Sequence, residues 1–336
     1  MVKVLVTGGS GFIAAHVVDI LLKHGHDVVF TVRSDEKGEK ILSNHAGQPR
    51  SKLSYVIVEN IAQEGAFDKA VISEPPFEAV LHTASPFHFN VTDAKKDLLD
   101  PAILGTTGIL KSIKKSAPTV TRVVITSSFA AIVNVAKHEA TYNESHWNPV
   151  TLEEATNDAS TAYLASKTFA EKAAWDFVDK EKPNFSVSTI NPPIVLGPIV
   201  SYLNSLNAVN TSNQRVLQLI RGDFKTDGVP PSGIYIWVDV RDVALAHVKA
   251  IEVAAAAGKR FFVAAGYYSN GELAHIIKDN FPQFAPRLPE NLASDVPKDV
   301  YGIDNSRSKQ ILGLEYRPLK ESVVDTVKSL EAAGAK

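Results

Sequence analysis

Tyr163 and Lys167 stand four residues apart in Ala162-Tyr163-Leu164-Ala165-Ser166-Lys167, at the opening of a stretch that reads as a long helix running towards Lys180. On a helix that spacing places both side chains on one face. The ammonium is then close enough to lower the phenol pKa from its reference value of about 10, and such a tyrosine can protonate a carbonyl oxygen at neutral pH. Upstream, the run Val123-Val124-Ile125-Thr126 ends in Ser127-Ser128, and a serine hydroxyl across a cleft can hold the same oxygen. A tyrosine and lysine at this spacing are more often surface residues. They gain weight here from a third constellation at the start of the chain.

That constellation is VKVLVTGGSGFIAAH, residues 2–16. Val4, Leu5 and Val6 form the continuous apolar run of a strand covered on both faces, and Thr7 leads into Gly8-Gly9-Ser10-Gly11-Phe12-Ile13. Gly8 permits a tight turn, Gly11 lets a ligand approach the backbone, and Ala14 is small enough for helix to pack on strand. Ile13, Val17, Ile20 and Leu21 recur at helical spacing through Lys23, and Gly25 supplies the stop. Strand, glycine turn and helix converge backbone N–H groups and a positive dipole end on one point, which suits a pyrophosphate. The same turn without a ligand is the competing reading. A nucleophile elbow is excluded, because Phe12 stands where the second glycine of GxSxG belongs.

An NAD site usually places an acid about 20 residues beyond these glycines, yet Phe30-Thr31-Val32 offers none and Arg33 follows. A cation there suits a 2′-phosphate, and Lys37 adds a second if a helix begins near Ser34. Asp35 and Glu36 favour the alternative of an ordinary solvated charge; the missing acid decides for the phosphate. In His82-Thr83-Ala84-Ser85-Pro86 the small residues, Thr83 among them, let a flat cofactor lie against the backbone, and Pro86 ends the strand. His82 reads as a packed, hydrogen-bonded histidine rather than a general base. The ten histidines form no HExxH or comparable set, so no metal is expected.

The elements that must position these groups alternate between apolar runs and helical patterns, the sign of an α/β protein with a doubly wound parallel sheet. Runs at 2–7, 27–32, 53–58, 79–82, 122–127 and 186–191 read as strands. After Asn191 prolines at 192, 193, 198, 230, 231, 282, 286, 289 and 297 break the rhythm, and a second, discontinuous lobe is expected over the carboxyl edge of the sheet. A chain of 336 residues can bury a sizeable core. With 35 basic and 37 acidic side chains and no long basic run, neither a nucleic-acid nor a membrane surface is expected. The absence of cysteine excludes disulfides and thiolate catalysis. No apolar run approaches the ~20 residues of a membrane span, and the glycine motif follows the first residue so closely that a secretory signal has no room; a cytoplasmic protein is expected.

GGSGFIAAH, HTASP, VVITSS, YLASK and NPPIVLGP occur in that order. With them the chain resembles the extended short-chain dehydrogenase/reductase family, in its dihydroflavonol-reductase-like branch and nearest to fungal NADPH-dependent carbonyl, or methylglyoxal, reductases. The likeness spans nearly the whole chain. It implies a Rossmann domain over 1–191 with 239–265 returning to it, a smaller substrate-binding lobe over 192–238 and 266–318, and a C-terminal helix over 319–336. It also implies a triad of Ser128, the serine before Phe129, with Tyr163 and Lys167, the last also binding the nicotinamide ribose. By the same likeness Gly8 to Ile13 hold the pyrophosphate and Arg33 and Lys37 the 2′-phosphate of NADPH or NADP+. Asn60 and Ile61 then flank the adenine, Val195 the nicotinamide, and Ser212 a phosphate. The family usually carries aspartate where Asn60 stands, which removes a charge but keeps hydrogen-bonding capacity.

The expected reaction is hydride transfer from NADPH to a ketone or aldehyde. A nucleotide-sugar epimerase or dehydratase shares fold and triad but implies a retained NAD, which Arg33 opposes. A non-enzymatic NADP sensor has little use for Tyr163 and Lys167, and a structural module explains none of the motifs. Chain order places Phe87, Phe129, Pro193, Ile194, Tyr202 and Trp237 near the reacting carbon, with no fixed cation among them. Such a pocket suits aryl ketones, keto esters or α-dicarbonyls, although about half of these aromatics are expected to be core. The expected partner is a small carbonyl compound, and the protein a monomer or homodimer.

Overall fold

A computed structural model describes residues 1–85, 93–156, 158–200, 206 and 209–335. In chain order the first half contains β1 (Lys3–Thr7), α1 (Phe12–Lys23), β2 (Asp27–Val32), α2 (Asp35–Asn44), β3 (Leu53–Ile57) and β4 (Ala79–His82). There follow α3 (Asp100–Ser116), β5 (Arg122–Thr126), β6 (Thr141–Tyr142), α4 (Ala159–Glu181) and β7 (Ser186–Asn191). The remainder contains β8 (Ile194–Leu196), α5 (Thr211–Arg221), β9 (Ile236–Asp239), α6 (Val240–Glu252), β10 (Arg260–Phe262) and β11 (Gly266–Tyr267). It closes with α7 (Asn270–Asn280), β12 (Gly302–Ile303), α8 (Ser306–Leu312) and α9 (Leu319–Ala332).

Seven strands form one parallel sheet in the order β10-β7-β5-β4-β1-β2-β3. Each expected run is a strand of this sheet, and β10 extends it beside β7. The alternation along β1 shows why its run is unbroken. Val4 and Val6 enter the core beneath α1 and α6, whereas Leu5 enters the opposite core with Ile109 and Ile113 of α3 and Phe177 of α4. A fully buried side chain of this kind contributes about 1.5–3 kcal/mol. Ala14 and Ala15 are buried where α1 meets α6, as their small size allows.

The direction of wind reverses between β1 and β4, so the crevice beyond their carboxyl ends is the natural ligand site of the sheet. Over it lies a three-stranded sheet, β11-β9-β8, backed by a core in which α5, α7 and α9 meet. Leu217, Leu273, Val323, Val327 and Trp237 fill that core. The C-terminal helix α9 therefore belongs to this second core. Within 266–318, by contrast, α8 packs on α6 and β10, its Leu312 and the following Leu314 join the main core, and β12 pairs with β6.

Candidate active site

The glycine turn is held from two sides. Gly8 adopts φ +74°, the left-handed region that favours glycine, and Gly9 is so close to β2 that an added Cβ would lie 2.6 Å from the Phe30 ring. The Gly8 and Gly9 N–H groups donate to Thr31 Oγ1 (2.9 Å) and Thr31 O (2.8 Å), which ties the turn to β2. The helix α1 then starts with Gly11 as its N-cap and no side-chain cap, leaving its first N–H groups for a ligand.

Two cavities open from this turn and share Gly11, Thr83 and Ser85. The smaller, about 270 Å³, runs past Gly8, Ser10 and Ile61 to Arg33 and Lys37. The larger, about 490 Å³, passes Phe12 and Ile13 to Ser128, Tyr163 and Lys167 on one side and Pro193, Val195 and Ser212 on the other. Together they form one crevice with cations at one end and the hydroxyl cluster at the other. Arg33 and Lys37 are exposed, and among the described residues neither takes part in an ion pair. Their acidic neighbour Asp35 accepts the Tyr55 hydroxyl at 2.9 Å instead, which leaves both cations to the crevice.

Of the two serines ending β5, the structure separates the roles. Ser127 is buried and donates to Glu171 Oε2 at 2.5 Å. Ser128, in extended backbone, caps a single 3-10 turn by accepting the Ala130 N–H at 3.1 Å, and its side chain hydrogen-bonds that of Tyr163. Lys167, one turn along α4, donates to Ser85 Oγ at 3.0 Å, with its Nζ 6.0 Å from the Tyr163 ring centroid. Burial draws the Lys167 pKa down to about 8.

The expectation that Lys167 lowers the Tyr163 pKa needs correction. Burial of the phenol raises it, and the Ser128 hydrogen bond offsets only part of that rise. Removing water from a neutral phenol penalises its ionised form, so Tyr163 stays protonated at neutral pH and is a proton donor as it stands. His82 is the packed residue the sequence suggests: Nδ1 lies 2.9 Å from Thr7 Oγ1, and burial brings its pKa down to about 3.

Other sequence expectations fall elsewhere in the fold. Phe129 is only 2% exposed, stacked on Phe262 with centroids 5.4 Å apart and set edge-on to Tyr142; it is core behind the serine, not pocket wall. Trp237 is likewise core, 2% exposed, because β9 is the middle strand of the smaller sheet and its inner face is covered. Ile194 packs on the second core, while its neighbour Pro193 lines the crevice. Asn60 Oδ1 accepts the Ala62 N–H at 3.0 Å, a local turn that leaves Ile61 rather than Asn60 in the crevice wall. Phe87 and Tyr202 lie outside the described residues. Sequence reasoning passed over Thr31, Val58 and Asn210, which line the crevice, and read Ser85 only as a small residue beside the cofactor rather than as the partner of Lys167; a hydroxyl within the apolar β2 run was the available signal for Thr31. No helix among the described residues is long and apolar enough to cross a membrane, and no group of three or more metal-ligating side chains occurs among them.

A nucleotide crevice at the switch point of a parallel sheet, with Tyr163, Lys167 and Ser128 at one end, defines a dinucleotide-dependent enzyme of the extended short-chain type. The sequence matches the NAD dependent epimerase/dehydratase family over residues 4–264, and the chain belongs to that family. It is 48% identical over 329 residues to the ketoreductase azaE of Aspergillus niger, covering 98% of this chain and 97% of that one. To the NADPH-dependent methylglyoxal reductase GRE2 of Saccharomyces cerevisiae it is 37% identical over 338 residues, with 98% of each chain covered. The crystal structure of Gre2 from Candida albicans in complex with NADPH superposes with a TM-score of 0.92 at 38% identity, covering 99% of this chain and 100% of that one.

Proposed function

We propose that this protein is an NADPH-dependent carbonyl reductase that converts ketones and aldehydes to alcohols. One observation carries the reading: a single crevice joins Arg33 and Lys37 to the cluster of Ser128, Tyr163 and Lys167. Its features fit NADPH. The uncapped start of α1 meets a pyrophosphate, the exposed cations meet a 2′-phosphate, and Val195 and Thr83 line the part of the crevice left for a flat ring. When bound, NADPH supplies the hydride.

The chain's own groups do the rest. Ser128 and Tyr163 converge on one point, where both hydroxyls can hold the substrate oxygen and polarise the carbonyl. Tyr163, protonated at neutral pH, gives its proton to that oxygen as alkoxide character develops. The Lys167 ammonium then stabilises the phenolate left behind, and Ser85 fixes where that ammonium sits. Pro193 and Val195 add apolar wall. No lysine or arginine other than Lys167 lines this end of the crevice among the described residues, which supports aryl ketones, keto esters or α-dicarbonyls over nucleotide sugars. We assign the nucleotide to the sheet domain and the substrate to its junction with the smaller lobe, in a cytoplasmic monomer or homodimer.

A panel of carbonyl compounds assayed with NADPH and with NADH, products separated by chiral chromatography, tests the reading. Reduction of aryl ketones or α-dicarbonyls with a marked preference for NADPH is expected. Turnover of nucleotide sugars alone would instead place the protein among the epimerases and dehydratases of its family.

A further inference from the structure

Behind Ser128 lies a buried ion pair that the reaction itself does not use. Glu171 is 2% exposed and sits on α4 in the same i, i+4 series as Tyr163 and Lys167. Arg260 of β10 donates from Nε to Glu171 Oε1 at 2.6 Å and from Nη1 to the carbonyls of Glu144 and His146, both at 2.7 Å. Its guanidinium also stacks on Trp147, 3.7 Å from the ring centroid. Nε and Nη1 are thus committed, Nη2 adds a longer contact of 3.5 Å to Glu171 Oε2, and the carboxylate is held by its cation.

That carboxylate reaches the active-site serine through Asn191. Glu171 Oε2 accepts Asn191 Nδ2 at 2.7 Å, and the same Nδ2 lies 3.2 Å from the Ser128 carbonyl oxygen. An amide nitrogen has two hydrogens, so one serves each acceptor. Thr189 Oγ1 lies 3.0 Å from both Asn191 Oδ1 and Glu171 Oε1 and its one hydrogen serves either, so it is the two acceptors on Nδ2 that fix the orientation of the amide. Ser127 Oγ, from the residue before Ser128, donates to the same carboxylate oxygen, Oε2, that accepts Asn191. Buried polar networks of this kind restrict the geometry of their members, and removing one partner is costly.

We propose that Asn191, held by the Glu171–Arg260 pair, is a positioning residue that sets the Ser128 backbone and so aims its hydroxyl at the substrate oxygen. This rests on the carbonyl-reductase reading above. A displaced Ser128 hydroxyl should weaken the hold on the developing alkoxide without touching the cofactor end of the crevice.

The test is a double-mutant cycle on the full-length enzyme, with Asn191→Leu, Ser128→Ala and the pair, measured for kcat and KM with NADPH and a simple ketone. NADPH affinity by fluorescence titration and thermal unfolding accompany each variant. Asn191→Leu alone is expected to lower kcat on the order of 10- to 100-fold. NADPH affinity should stay within about twofold, and in the Ser128→Ala background the same substitution should cost less than about twofold. Equal losses in both backgrounds would overturn the proposal, because Asn191 would then support the fold rather than Ser128. If Asn191→Leu does not fold, Asn191→Ser enters the same cycle, and the same two outcomes decide. A parent enzyme inert towards every ketone with NADPH would fail the underlying reading, whereas additive losses in an active parent fail this inference alone.

Discussion

Lys167 Nζ lies 3.0 Å from Ser85 Oγ, so a helix residue and the loop leaving β4 meet at the floor of the crevice. The contact matters because burial has brought the ammonium to a pKa of about 8. Below that value Lys167 carries the charge that stabilises a tyrosinate; above it the charge is lost. The sign follows directly: kcat/KM should fall as pH rises through about 8. Lys167→Arg, which keeps its charge at any accessible pH, should move the fall upward in whatever activity remains. A profile level from about pH 6 to about pH 10 would contradict this role.

Cofactor choice turns on the two exposed cations at the other end. Loss of a charge-assisted hydrogen bond costs about 1.5–3 kcal/mol, so Arg33→Ala should raise the NADPH KM by roughly tenfold or more and leave NADH little changed. The NADPH KM should also climb with ionic strength, since both cations face solvent. Steady-state kinetics with each cofactor at two salt concentrations decides the matter, and an unaltered NADPH KM in Arg33→Ala speaks against a phosphate contact.

Phe129 calls for a different experiment from the one its sequence position suggests. Packed against Phe262, Tyr142 and Tyr301, it should report on stability: Phe129→Ala should cost about 3–5 kcal/mol in denaturant unfolding, the range for large buried aromatics cut to alanine. A loss under about 1 kcal/mol would mean the ring is not core.

What was legible in the sequence is what local spacing decides. Tyr163 and Lys167 share a face because they are one helical turn apart, the glycine turn follows from strand and helix signals on either side, and Arg33 stands out because an expected acid is missing. What stayed hidden depends on partners distant along the chain. Nothing near Phe129 announces that Phe262 will stack on it, and nothing near Glu171 points to Arg260. The direction of the Tyr163 pKa stays hidden for a related reason: helical spacing reveals the neighbouring ammonium but not the burial of the phenol, which is the largest influence and outweighs the Ser128 hydrogen bond. Spacing alone does not separate Ser127 from Ser128; the resemblance picks Ser128, and the buried carboxylate that takes Ser127 supplies the physical reason.

The most direct test of the proposed chemistry is single-turnover reduction of a ketone by Tyr163→Phe alongside titration of NADPH fluorescence. The substitution keeps the ring and removes only the donated proton, so turnover should drop by roughly 100-fold or more while NADPH binds with nearly the parent affinity. Turnover at the parent rate with NADPH binding intact would contradict the account, because the proton would then come from a group other than Tyr163.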